Sequence, residues 1–174
     1  MRRVAMVGVG NMGGAMCRRI LDARWPVQIF DLDSAKMTAL QAEGAVPRGD
    51  AAQVVVGCGV LIVCVVDAFQ TEQVLFGANG AAAAMRAGQS VVLCPTISPS
   101  DVERFAARLS ERGITVVDAP MSGGPVRARD GTMSPVDACE DAVFEKQRTL
   151  LEILSGKIFR ISQKPGDGAK TKLV

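Results

Sequence analysis

The chain has 174 residues, in which 20 basic side chains nearly cancel 18 acidic ones to leave a net charge of +2. So even a balance excludes the electrostatic footprint of a nucleic-acid-binding or membrane-surface protein, and makes a small polar ligand the expected partner. Hydrophobic residues make up 48% of the chain but aromatics only 4%. Ala, Val, Ile, Leu and Met must therefore build the core, as they do in parallel sheets covered by helices.

In chain order, Arg3 to Val9 is a short apolar run ending at a glycine, and Met12 to Ala23 carries Met12, Met16, Ile20 and Leu21 at helical spacing. That predicts strand, turn, helix. Val27 to Phe30 reads as a second strand closed by Asp31, and Ser34 as the N-cap of a helix running to about Glu43. The alternation continues with a helical stretch over 50–56, a strand over 60–66, helical segments near 71–75 and 80–86, a strand over 90–93, a helix over 99–112 and a strand over 115–118. Strands alternating with helices predict an α/β fold, a doubly wound Rossmann-type parallel sheet with helices on both faces. A Gly- and Arg-rich loop over 122–131, a helix over 141–154 and a short strand over 157–161 follow. The expected division is a dinucleotide-binding domain over 1–163 and, over 164–174, the first turns of a helix leading to a further helical domain. A chain ending there is expected to have lost that domain.

No apolar run approaches the ~20 residues of a membrane span. The first strand leads straight into a glycine turn, without the cleavage site of a signal peptide. A cytoplasmic enzyme is the expectation. The five cysteines are odd in number and widely spaced, which suggests buried free thiols rather than a disulfide framework or a metal site. The chain contains neither histidine nor tyrosine. Proton relays through a His–carboxylate or Tyr–Lys pair are therefore excluded within it, as are His-based zinc sites, and any proton carrier must be Lys, Asp, Glu or Cys.

The glycine pattern Gly8-x-Gly10-x-x-Gly13 stands between a strand and a helix, and an acid closes the second strand. Gly8 permits the tight turn, Gly10 lets the backbone approach a pyrophosphate, and Gly13 allows helix and strand to pack closely. The helix N-terminus at Asn11 and Met12 then offers amides to phosphate charge. Asp31 follows Gly13 at the distance expected of the acid that bonds the adenosine ribose hydroxyls, although an acid there also serves as an ordinary strand-end cap. Asp33 is close and no Arg adjoins Asp31. A 2′-phosphate would meet negative charge, so NAD is expected over NADP.

Three later segments are CPTISPS (94–100), DAPMSGGP (118–125) and GDGAKTK (166–172). Together with VGVGNMGGAM they resemble the β-hydroxyacid dehydrogenase family, in order and over the whole chain. The resemblance implies hydride transfer between NAD and the hydroxyl-bearing carbon of a 3-hydroxy acid. Carried across residue by residue, it implies that Ser122, Gly123 and Gly124 hold the substrate carboxylate, Ser122 also serving catalysis, and that Lys172 is the general acid/base. Burial and a nearby nicotinamide cation would favour the neutral amine this role needs. Thr96 falls at a position near the nicotinamide ribose. Val66 and Asp67 stand where the family usually has a Leu-Pro pair beside the cofactor, so Asp67 is a departure. Members continue after the lysine as K-x-x-N and associate into homo-oligomers through a C-terminal domain, whereas Val174 is the last residue here.

After Ser-Gly-Gly the loop reads PVRARDGTM, with Arg127 and Arg129 where many members carry smaller uncharged residues. These cations suit oxyanions and resemble the variant acting on sugar acids such as threonate, or on sulfonated or otherwise hydroxylated acids, which favours a polyhydroxylated acid over 3-hydroxyisobutyrate and leaves tartronate semialdehyde open, or else they form a solvated surface pair. The rival readings are a non-catalytic NAD-binding module and an imine reductase, which shares the cofactor fold but typically replaces the lysine.

Overall fold

The computed structural model describes residues 3–172. Its elements are β1 (Val4–Val7), α1 (Asn11–Asp22), β2 (Val27–Phe30), α2 (Ser34–Ala42), β3 (Val46–Pro47), α3 (Ala51–Val54), β4 (Val60–Val63), α4 (Ala68–Phe76) and α5 (Ala81–Ala84). Then come β5 (Ser90–Leu93), α6 (Pro99–Ser110), β6 (Thr115–Asp118), α7 (Gly124–Asp130), β7 (Val136–Ala138), α8 (Asp141–Leu154), β8 (Phe159–Ser162) and α9 (Asp167–Lys172).

Strands β1, β4 and β5, with sequences VAMV, VLIV and SVVL, bury every residue, as strands covered on both faces must. Alternate side chains divide between two cores. Val4, Met6 and Ile62 pack toward Met16 and Ile20 of α1 and Leu150 of α8. Ala5, Leu61 and Val91 pack on the opposite face with Leu75, Phe105 and Leu109 of α4 and α6.

The sheet order is β3-β2-β1-β4-β5-β6-β7-β8, with parallel pairing from β3 through β6. Chain order reverses at β1, between β2 and β4, and at such a switch point an open sheet leaves a crevice beyond its strands' carboxyl ends.

The doubly wound fold is the one expected, with several local differences. The sheet is not wholly parallel: β7 runs antiparallel to β6, with Asp118 opposite Ala138, and β8 runs parallel to β7. Sequence reading passed over β7 because its three residues, VDA, include an aspartate, a poor strand former, and over β3 because it has only two residues. The loop expected over 122–131 contains α7, with a proline in its first turn and Gly131 ending it in a left-handed conformation (φ 69°). Asp33, not Ser34, caps α2, its carboxylate accepting from the Ala35 and Lys36 amides.

Helix α9 packs against α6, β6, β7 and β8 and buries Gly168 and Ala169. The outer ends of the two expected segments, residues 1–2 and 173–174, lie outside the described residues. All five cysteines are free thiols, and burial pushes Cys17 up to about 12, which makes it a poor nucleophile. Among the described residues no helix is long and apolar enough to cross a membrane.

Candidate active site

The glycine turn is closed on two sides and open on the third. A Cβ on Gly8, at φ +89°, would lie 2.3 Å from the Cys64 carbonyl oxygen, and one on Gly13 would lie 1.9 Å from the Gly8 carbonyl oxygen. A Cβ on Gly10 would meet nothing within 4 Å. Gly8 and Gly13 thus let strand, turn and helix touch, while Gly10 leaves space for something outside the chain. Gly10 is also the N-cap of α1 and supplies no side-chain bond, so the first turn, from Asn11 to Gly13, presents backbone amides to that space.

A cleft of about 330 Å³ lies there, at the switch point. Its walls are Gly10, Asn11, Met12, Gly13 and Met16 on one side, and Cys64 to Val66, Cys94 to Thr96 and Met121 from the ends of β4, β5 and β6 on the other. The open flank of Gly10 and the uncapped helix start fit the pyrophosphate of a dinucleotide. Asp31 stands beside the cleft rather than in its wall. One of its oxygens accepts from the Val9 amide at 2.7 Å and the other from the Asp33 amide at 2.8 Å. It therefore ties the tip of β2 to the glycine turn, and a carboxylate retains acceptor capacity beyond two such bonds. Asp67 has structural work of its own: it caps α4 through the Gln70 amide at 2.8 Å, while neighbouring Val66 is 78% exposed at the cleft rim.

The second cluster joins segments far apart in sequence. Lys172 Nζ donates to the Met121 carbonyl oxygen at 2.9 Å and contacts the Ser122 hydroxyl. Gly123 and Gly124 adopt φ of 131° and 70°, which glycine alone accepts readily. The Arg127 side chain folds back over this turn, so that a Cβ on Gly123 would sit 2.7 Å from Arg127 Cδ. Arg129 does not join it. Its guanidinium pairs with Asp22 of α1, which separates the two arginines that sequence reading grouped together.

Asp118, the first residue of DAPMSGGP, was given no role from the sequence. It is 1% exposed, and one carboxylate oxygen accepts from the Gly166 and Ala169 amides at 2.8 and 2.9 Å. Asp137 on β7 was also overlooked. It is fully buried, neither carboxylate oxygen has a hydrogen-bond partner among the described residues, and burial pushes its carboxyl up to about 7. A larger cavity of about 460 Å³ lies between α8 and β8. Its arginines are already engaged, Arg148 with Glu145 and Arg160 with Asp141, and Lys157 lies over the Phe159 ring.

A doubly wound sheet, a glycine turn opening on a switch-point cleft and an acid at the end of β2 are the features of a dinucleotide-binding domain. Residues 3–162 match the family described as the NAD binding domain of 6-phosphogluconate dehydrogenase, and the chain belongs to that family, within the β-hydroxyacid dehydrogenases. It is 35% identical over 173 residues to an L-threonate dehydrogenase of Cupriavidus necator, a match covering 99% of this chain and 58% of the relative. It is 34% identical to a 2-hydroxy-3-oxopropionate reductase of Escherichia coli, over 98% of this chain and 58% of that protein. The crystal structure of a 3-hydroxyisobutyrate dehydrogenase from Salmonella typhimurium superposes with a TM-score of 0.94 at 33% identity, over 99% of this chain and 60% of that one. The chain thus spans less than two thirds of the relatives it matches.

Proposed function

We propose that this chain is the cofactor-binding part of an NAD-dependent oxidoreductase that interconverts a 3-hydroxy acid and its carbonyl form. The observation that carries the reading is the meeting of Lys172 Nζ with Ser122 and the Met121 carbonyl, where Met121 also lines the cleft. Gly10, Asn11, Met12 and Gly13 would hold the pyrophosphate, Val66, Asp67 and Thr96 would flank the nicotinamide side, and Asp31 would bond the ribose. When bound, NAD supplies the hydride acceptor. Ser122, Gly123 and Gly124 hold the substrate carboxylate, and Lys172 takes the hydroxyl proton at Nζ and returns it in the reverse direction. NAD is preferred over NADP because Asp31 and Asp33 would repel a 2′-phosphate.

Arg127 supports a polyhydroxylated or sugar-acid substrate, since it lies over Gly123 and no carboxylate partners its guanidinium among the described residues. L-Threonate is accordingly tested first. Free thiols fit a reducing, cytoplasmic location. The domain boundary at 163, and homo-oligomer formation through a further domain, belong to the same reading.

The test has two parts. NAD and NADP titrations on this chain should give tighter binding of NAD at equal salt. Turnover of L-threonate and 3-hydroxyisobutyrate, followed by nicotinamide absorbance on the polypeptide its gene encodes, should disappear in Lys172→Ala with NAD affinity retained. Survival of turnover in that variant overturns the reading, and NAD binding without turnover on any hydroxy acid leaves a non-catalytic module in its place.

A further inference from the structure

We propose that Asp118 is the positioning residue for Lys172: its carboxylate holds the start of α9 so that the lysine reaches the Ser122 hydroxyl. This rests on the reading of Lys172 as proton carrier.

Ser122 and Lys172 are 50 residues apart in sequence, and both arms of their contact start at residue 118. One arm is the chain itself, running from the end of β6 through Met121 to Ser122. The other is the hydrogen bonds from Asp118 to the Gly166 and Ala169 amides, after which one helical turn leads to Lys172. A carboxylate that is 1% exposed is costly to keep in place unless donors reach it, and these two amides both bond one of its oxygens.

Gly168 shows how tightly the two arms are joined. A Cβ there would lie 2.8 Å from Asp118 Oδ2 and 2.9 Å from the Asp118 backbone oxygen, so any larger residue would lift α9 from the strand end. The Thr171 hydroxyl bonds to the Asp167 carbonyl oxygen at 2.9 Å, which ties that same turn together. Neither aspartate nor glycine touches the proposed reacting groups. Their effect passes through the placement of one amine.

The experiment is reductive methylation of the whole 174-residue chain with formaldehyde and cyanoborohydride, with site-resolved rates from peptide mass spectrometry. In the native chain Lys172 should react more slowly than exposed Lys170. Asp118→Ala should raise the Lys172 rate at least about tenfold, the equivalent of one charge-assisted hydrogen bond, with Lys170 unchanged. Asp118→Asn, whose amide oxygen accepts from the same backbone groups, should restore most of the protection, which a general loosening of the fold would not allow. If Asp118→Ala proves unfolded by circular dichroism, Gly168→Ala decides, since it displaces α9 while leaving the carboxylate in β6. Lys172 protection unchanged in a folded Asp118→Ala or Gly168→Ala chain overturns the proposal, as does a native Lys172 as reactive as Lys170. Failure of the proton-carrier reading shows up separately, as turnover surviving Lys172→Ala while these protection rates stand.

Discussion

The glycine turn and the lysine cluster lie at the same edge of the sheet but are held together in different ways. Gly8, Gly10 and Gly13 span six consecutive positions and work by the absence of side chains, with backbone against backbone on two flanks and open space on the third. The Ser122–Lys172 pair draws on segments 50 residues apart and works through polar groups that must be satisfied by one another. The first region should therefore fail through steric overlap, and the second through loss of orientation while the fold survives.

The largest expected effect tests the steric half. Gly13→Ala places a Cβ 1.9 Å from the Gly8 carbonyl oxygen, a backbone atom with little room to yield. A loss of about 3 kcal/mol or more is expected, at the upper end for overpacking, together with loss of NAD binding. Gly10→Ala is the contrast, because its Cβ meets no protein atom within 4 Å. Its melting temperature should stay near the native value while NAD affinity falls. Equal melting temperatures for the two variants would remove the distinction between packing and ligand space within the motif.

This difference also explains what the sequence made legible. The glycine pattern, the strand before it and Asp31 at the end of the next strand are local, so spacing alone located the turn and the cleft edge. Ser122 and Lys172 could be named only because whole motifs resembled a family, since nothing local brings residues 122 and 172 together. Asp118 escaped notice because an acid at a strand end carries no mark of what it will face. Its partners are backbone amides of a segment 48 and 51 residues further on. Asp137 was hidden for the opposite reason: polar residues signal exposure, and this one is fully buried.

Asp137 provides an effect of similar size on stability, without the loss of NAD binding. Burial first, and the nearby Asp118 charge in addition, hold its carboxyl up at about 7 against the opposing pull of Arg160. Its proton is bound more tightly in the folded chain than in the unfolded one. That contribution to stability is complete below the unfolded carboxyl range near pH 4 and is lost as pH rises through 7. Stability should fall by a few kcal/mol, on the order of 3–4, between pH 4 and pH 8 through this group. Urea melts across that range should show the slope, and Asp137→Asn should flatten it and gain stability at pH 8. A native slope that persists in the variant would place the titration elsewhere. The same measurement bears on the lysine cluster, since charge on Asp137 repels that on Asp118.

A smaller effect separates capping from cofactor contact at the rim of the cleft. Asp67 caps α4 through the Gln70 amide, so Asp67→Ala should cost about 1 kcal/mol in a thermal or urea melt. Asp67→Asn or Asp67→Ser, which retain an N-cap acceptor, should recover most of it. If NAD affinity follows stability across the three variants, Asp67 serves the cleft only by fixing where α4 begins. An affinity loss in Asp67→Asn at native stability would assign the carboxylate a direct contact.

The smallest expected effect on stability discriminates most finely between the two arginines of α7. Arg129 and its partner Asp22 are 45% and 51% exposed, so Arg129→Ala should change stability by no more than about 1 kcal/mol, and less at high salt. Its effect on substrate should be negligible, because the side chain is turned toward α1. Arg127→Ala should be just as mild in a melt, yet it strips the cover from the Ser122–Gly123 turn. Under the proposed function, on the polypeptide its gene encodes, it should raise KM for L-threonate roughly tenfold or more, the equivalent of one charge-assisted hydrogen bond, and alter KM for 3-hydroxyisobutyrate far less. Equal effects on both substrates would mean that Arg127 acts on the carboxylate they share. An effect confined to Arg129 would mean that α7 reaches the substrate through its other face.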